Sequence, residues 1–290
     1  YAISALYESG RAVWMPMVVG LFSPLGWLPV QQANNLWFLL NSASVIFIAW
    51  IVGKNYFRSF VHRLLGISAV VILPFSISHF MLGQISYLTT ALFLMVVCFR
   101  RSAPYWLSAL LLAAALSKPQ LGFLFIPGWI YFRLIKEGRR NTVIYLAVLV
   151  GAVCVLSVPL FWGSPGWPAD LAEQLQTNPE WNHPSSFSIL RMWMPRFGIY
   201  MWLLLASGVM ALNLWLWKTL PPEEAAMWSL ALTPLVTPYV WSWDFVLLLP
   251  LFLSRFNRFQ VRTSQALLVT LYVTSWVLMA SIRMGGGSDF

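Results

Sequence analysis

Charge is scarce in this chain. Of its 290 residues only 9% are Asp, Glu, Lys or Arg, and just nine residues are acidic. A water-soluble domain is about a quarter charged and about half apolar. Here 59% is hydrophobic and the mean hydropathy is +0.72. Too little polar surface exists to clothe so much apolar matter in water, so lipid is the natural solvent. Cysteine is also rare. Cys98 and Cys154 each lie inside an apolar run, where they read as small buried hydrophobes rather than a disulfide. Motifs of soluble chemistry are missing: there is no phosphate-cradling P-loop, no His/Cys metal cluster, no GxSxG elbow and no HExxH helix. No cofactor is implied, and a divalent metal stays open. No internal repeat is visible, which weighs against an alternating-access transporter.

Aromatic and basic residues are plentiful instead. Seventeen Trp and ten Tyr suit a protein anchored at membrane interfaces. The net charge of +9 does not mean nucleic acid, because the cations sit in short clusters between apolar runs and not along a stripe. The chain opens on Tyr1 with no signal peptide, so further residues are expected upstream.

Ten apolar runs occur, near 35–53, 64–82, 85–99, 103–117, 120–135, 142–163, 197–217, 225–240, 243–254 and 264–282. The sequence therefore predicts an all-α, polytopic transmembrane bundle of about ten crossings, forming one domain over 1–290. Numbering the connections in turn, the odd ones carry twelve basic residues, from Lys54 to Arg262. The even ones and the tail carry four, Lys118, Arg191, Arg196 and Arg283. Positive charge marks the cytoplasmic side, so the even connections face out. This rule also divides 103–135 into two crossings, since one long helix would place Arg100-Arg101 and Lys136–Arg140 on opposite faces. Residues 1–34 are read as an outer juxtamembrane segment, with 13–29 kinked or re-entrant because Pro16, Gly20, Pro24 and Gly26 interrupt it; a true crossing is the alternative. Residues 164–196 form one long non-cytoplasmic loop.

The outward breaks carry polar groups beside short helices, and irregular backbone at membrane depth is tolerated only when it is buried or lines a wet cavity. Lys118 is the sharpest of them. It follows the uncharged run from Ala103 to Ser117 and precedes a helix-breaking Pro. A buried ammonium needs a partner, and a donor phosphate would serve; a snorkelling lysine is the other reading. Asp244, in TPYVWSWDF, could bind a metal or sugar hydroxyls, pair with an Arg, or sit at a helix N-terminus. Arg191 and Arg196 could hold a phosphate or anchor the interface. Gln84 and His183 are candidate substrate ligands, against capping and plain surface polarity.

Six strings then become informative as a set: WMPMVVGLFSPLGWLP, LWFLLN, MLGQISYLTTALF, LSKPQLGFLFIP, HPSSFSILR and TPYVWSWDFVLLLP. In this order the chain resembles glycosyltransferase family 87, of the GT-C superfamily. The resemblance implies an inverting transferase in a bacterial inner membrane. It would move a sugar, often mannose, from a polyprenyl-phosphate donor to a glycolipid or glycan acceptor on the non-cytoplasmic face. The partners implied are that donor, that acceptor and membrane lipids, with no nucleic acid. Lys118 matches the family lysine and is assigned to the donor phosphate. Gln84, Gln120 and Asp244 match positions near the cavity. The catalytic Asp of the first outer loop would lie upstream of Tyr1, and Met15-Pro16 replaces a Pro-Pro pair. A transporter or lipid flippase is the competing reading.

Overall fold

A computed structural model describes residues 16–56, 68, 74–163, 165–169, 172, 185–256, 269, 270, 273 and 277. Helices connected by turns account for the described residues, and no strand occurs among them. The expected run 264–282 lies largely outside them, as do residues 1–15 and 57–67, most of the loop between 164 and 184, and His183.

Helix α1 (Pro16–Phe22) leads into a 3-10 turn at Ser23–Trp27. Seven residues rise only about 10 Å, so α1 is far too short to cross a bilayer alone. It lies against the backbone of residue 156: a Cβ on Gly20 would stand 1.9 Å from the Leu156 carbonyl oxygen. Helix α2 (Val30–Tyr56) starts five residues before the apolar run suggested, its polar first turns joined by Gln31 Nε2 donating to Asn35 Oδ1 at 3.2 Å. Next come α3 (Pro74–Met81), α4 (Ser86–Cys98) and α5 (Tyr105–Ala115). The last two are apolar but span only about 20 and 16 Å.

The third long element resolves the question over 103–135. After a 3-10 turn at Pro119–Gly122, helix α6 runs from Phe125 to Gly163, broken at Gly138 with φ 83° and ψ 167°. That left-handed region is open to glycine at little cost. The break turns one 39-residue element into two limbs. The first limb runs back along α5, so that Arg100, Arg101 and Lys136 line one common cleft. Lys118 stands at the far end of both helices. Two separate helices, not one broken helix, connect the two basic clusters.

Helices α7 (Ser186–Trp193), α8 (Gly198–Thr219) and α9 (Pro222–Val236) follow, then a 3-10 helix at Ser242–Leu248 and α10 (Leu249–Phe256). Helix α7 lies inside the segment read as a loop. Its N-cap is Ser185, whose hydroxyl accepts the Ser188 N–H, a local signal that the aromatic-rich composition of the loop obscures.

Among the described residues, three helices are long and apolar enough to span a membrane: Val30–Val52, Phe125–Gly163 and Gly198–Thr219. Only 11% of the best window in Gly198–Thr219 is buried within the protein, leaving Leu203, Leu204 and Tyr200 facing outward. An apolar face of that size belongs in lipid.

The core lies where α4, α5, the first limb of α6, α8 and α9 meet. Phe93 and Phe125 have ring centroids 4.7 Å apart, and Trp217 closes on Phe125, Trp129 and Phe132 at 5.8 to 6.0 Å. One polar chain threads this core. Trp217 Nε1 donates to Ser229 Oγ at 2.7 Å, Ser229 to Asn213 Oδ1 at 2.6 Å, and Asn213 Nδ2 to the Leu124 carbonyl at 2.8 Å. Every member is satisfied, as a polar group in a low-dielectric interior must be. At the basic end, Glu223 and Glu224 open α9, where the helix dipole favours carboxylates. They pair with Arg100 and Arg255 respectively.

Candidate active site

Three chain breaks converge at the other end, each placing a polar side chain where a helix begins. Gly83 makes the first. Its φ of +61° suits glycine, and its carbonyl accepts Trp37 Nε1–H at 3.0 Å. The turn brings Gln84 and Ser86 over the start of α4. Lys118 precedes the Pro119–Gly122 turn, and Asp244 is the third residue of the Ser242–Leu248 helix.

These side chains form a closed cluster. Lys118 Nζ donates to Asp244 Oδ1 at 2.8 Å, to Ser86 Oγ at 3.0 Å and to Gln84 Oε1 at 3.3 Å. All three ammonium hydrogens thereby find acceptors. Ser86 Oγ passes its own hydrogen to Asp244 Oδ1 at 2.6 Å, and Asp244 Oδ2 accepts the Trp241 N–H at 3.1 Å. Asp244 is fully buried and Lys118 is 8% exposed. A snorkelling lysine would reach water; this one is compensated by a carboxylate. Asp244 pairs with Lys118 and not with an arginine, and it sits in the first turn of the Ser242–Leu248 helix.

A second polar pair adjoins the cluster: His79 Nε2 and Asn41 Oδ1 lie 2.9 Å apart, both buried. Three buried polar atoms next to these residues have no partner among the described residues: His79 Nδ1, Ser117 Oγ and Trp243 Nε1. Unmet buried polar groups are uncommon in a folded protein and call for a water or ligand. Trp241 and Trp243 stack with centroids 5.0 Å apart and planes 16° from parallel, and Trp241 Nε1 donates to Tyr239 Oη at 2.8 Å. The result is a half-buried aromatic platform beside Asp244.

The other sequence-based candidates fall differently. Gln120 is half-buried in the turn that follows Lys118. Arg191 is exposed on α7, with its guanidinium 5.4 Å from the Phe187 ring centre. Arg196 is exposed in the turn before α8. Among the described residues neither arginine makes a salt bridge, and neither joins the Lys118 cluster. His183 lies outside the described residues. Ser86 was missed altogether, since one serine opening an apolar run looks neutral in sequence; its only signal is its place two residues after Gln84. The structure also adds Trp37 and Asn41 as supports.

A family model described as glycosyltransferase family 87 matches residues 15–238. The chain belongs to glycosyltransferase family 87. No curated protein and no solved structure matches it. For this family-87 chain, the six strings of the sequence reading meet at one end of the bundle. Phe22 packs edge-on against Trp37 at 4.9 Å. Trp37 bonds Gly83, and Lys118 joins Gln84 and Ser86 to Asp244. Ser185 Oγ donates to the Pro238 carbonyl at 3.0 Å, tying the fifth string to the sixth. Asp244 lies beyond the matched residues, so its place in the site rests on geometry alone.

The Gly83 turn carries a prediction. Gly83→Ala has room for its methyl, 3.5 Å from Trp37 Nε1, so its cost is backbone strain of about 1–2 kcal/mol. Gly83→Asn, which tolerates the left-handed region, should fold more stably and retain more sugar transfer than Gly83→Ala, which carries that strain. Equal rates for the two variants would show that the turn conformation is irrelevant to the site.

Proposed function

We propose that this family-87 glycosyltransferase transfers a sugar, mannose by the family's habit, from a polyprenyl-phosphate donor. The acceptor would be a glycolipid or glycan hydroxyl on the non-cytoplasmic face of a bacterial inner membrane. The bundle would make about ten crossings on the GT-C plan. One observation carries the reading: a buried, fully hydrogen-bonded Lys118–Asp244 pair, set among unmet polar atoms, at the end opposite the basic connections. Ionisable groups at membrane depth are expensive and mark function. The distribution of positive charge supports an outward-facing site.

In this reading the acceptor oxygen attacks the anomeric carbon as the bond from that carbon to the phosphate oxygen breaks. The phosphate leaves with the bonding pair, and its growing charge needs donors placed in advance. Lys118 supplies them by turning an N–H from Gln84 or Ser86 toward a phosphate oxygen, while Asp244 keeps the ammonium oriented. The freed Gln84 amide and Gln120 then bind sugar hydroxyls, and the Trp241–Trp243 platform takes an apolar sugar face. Arg191 and Arg196 meet the phosphate as the lipid approaches. Both Asp244 oxygens are already occupied, by Lys118 and Ser86 on one side and the Trp241 N–H on the other. The acceptor proton is therefore assigned to a group other than Asp244.

Membrane vesicles containing the full gene product, supplied with labelled polyprenyl-phosphate mannose, test the reading. Label should move to a glycolipid or glycan with inverted anomeric configuration. Donor that crosses the membrane unchanged, with no glycosidic product, would make the protein a flippase.

A further inference from the structure

The basic end of the bundle holds a cleft of about 580 Å³. Its cations come from three connections far apart in sequence: Arg100 and Arg101 after α4, Lys136 before the Gly138 break, and Lys218 at the end of α8. Not all are available. Arg100 is committed to Glu223 and to the Val97 carbonyl. The one carboxylate in the lining, Glu137, pairs with Arg133. Arg101, Lys136 and Lys218 are exposed, and none has a salt bridge among the described residues. Topology alone requires positive charge somewhere in each of these connections; it does not require three of them to empty into one concavity. The walls mix polar and apolar surface, with Phe132, Leu220 and Pro221 supplying an apolar side beside the cations.

We infer that this cleft binds a phosphate-bearing anion, with the headgroup of an anionic phospholipid the source its walls favour. The cations would take the phosphate oxygens, and the apolar wall would take the glycerol and upper acyl carbons. Basic pockets between membrane helices recognise headgroups in this way. The inference does not depend on sugar transfer, since the cleft is at the end away from Lys118.

The test uses the full chain in phosphatidylcholine nanodiscs, with phosphatidylglycerol titrated in one arm and soluble glycerol phosphate in the other. Retention is read by native mass spectrometry. Each basic residue near a membrane anion is worth about a fivefold factor, so Arg101→Ala/Lys136→Ala/Lys218→Ala should weaken binding roughly a hundredfold. Arg139→Ala/Arg140→Ala, at exposed positions of the same end but outside the lining, should leave it within about threefold, as screened surface charge allows. Loss in the phosphatidylglycerol arm assigns a lipid headgroup, and loss confined to glycerol phosphate assigns a soluble anion. No loss in either arm, or equal loss in the Arg139/Arg140 control, overturns the site.

Discussion

Lys118→Ala should abolish sugar transfer and also destabilise the protein, by about 3–5 kcal/mol. The second effect follows from the partner left behind: Asp244 is fully buried, and an uncompensated carboxylate there is far costlier than the pair. Lost activity in that variant alone is therefore ambiguous. The double variant Lys118→Met/Asp244→Leu separates the roles, because replacing both members of a buried pair with apolar groups is often neutral or stabilising. The expected result is recovery of thermal stability with transfer still absent. If transfer returns with stability, the pair serves only to hold the break together, and the phosphate role falls. Ser86→Ala offers a milder check. It removes one of three acceptors from Lys118 and one donor to Asp244, so the rate should fall while the fold persists.

Gly128→Ala should be among the most damaging single-methyl changes in the core. An added Cβ would lie 2.1 Å from Trp217 Nε1, and Trp217 is 1% exposed with no room to retreat. Overpacking of this kind costs about 1–3 kcal/mol. Displacing the indole would also break its bond to Ser229, worth about 1 kcal/mol, and disturb the chain to Asn213. Gly151→Ala gives the opposite sign. Nothing lies within 4 Å of a Cβ at Gly151, and the residue is in the second limb of α6, where alanine is the better helix former by about 1 kcal/mol. Thermal unfolding in detergent should show Gly128→Ala melting several degrees below the parent and Gly151→Ala at or above it. Matching shifts in the two variants would contradict the packing described around Trp217.

The helices were largely legible because lipid imposes a simple rule: spanning segments must be apolar and satisfy their own backbone bonds. The runs at 85–99, 103–117 and 197–217 each fall within a few residues of an observed helix. The charge count divided 103–135 in two, and the folded chain has two separate helices there, with Arg101 and Lys136 sharing one cleft. Legibility failed where a feature depends on distant partners or on one local cap. Helix α7 begins at a serine cap, and its amphipathic pattern covers only eight residues of a much longer segment. Lys118 was identified as needing a counter-charge, but its partner lies 126 residues away, and no spacing rule links them. Trp37, Asn41 and Ser86 look like ordinary members of apolar helices. They matter because three chain breaks face one another, and only the folded arrangement shows that. The folded chain brings Gln84, Lys118 and Asp244 into contact, whereas Arg191 and Arg196 stand apart from them.

The central claim is that the Gln84–Lys118–Asp244 cluster receives the donor headgroup. Photo-crosslinking tests this most directly, using polyprenyl-phosphate mannose with a diazirine on the sugar and the full gene product in membrane vesicles. Peptide mapping should place the label within Gly83–Ser86, Lys118–Gln120 or Tyr239–Trp243, and unlabelled donor should compete it away. Labelling concentrated at the Arg101–Lys136–Lys218 end, or spread along the lipid-facing helices without competition, would contradict the account.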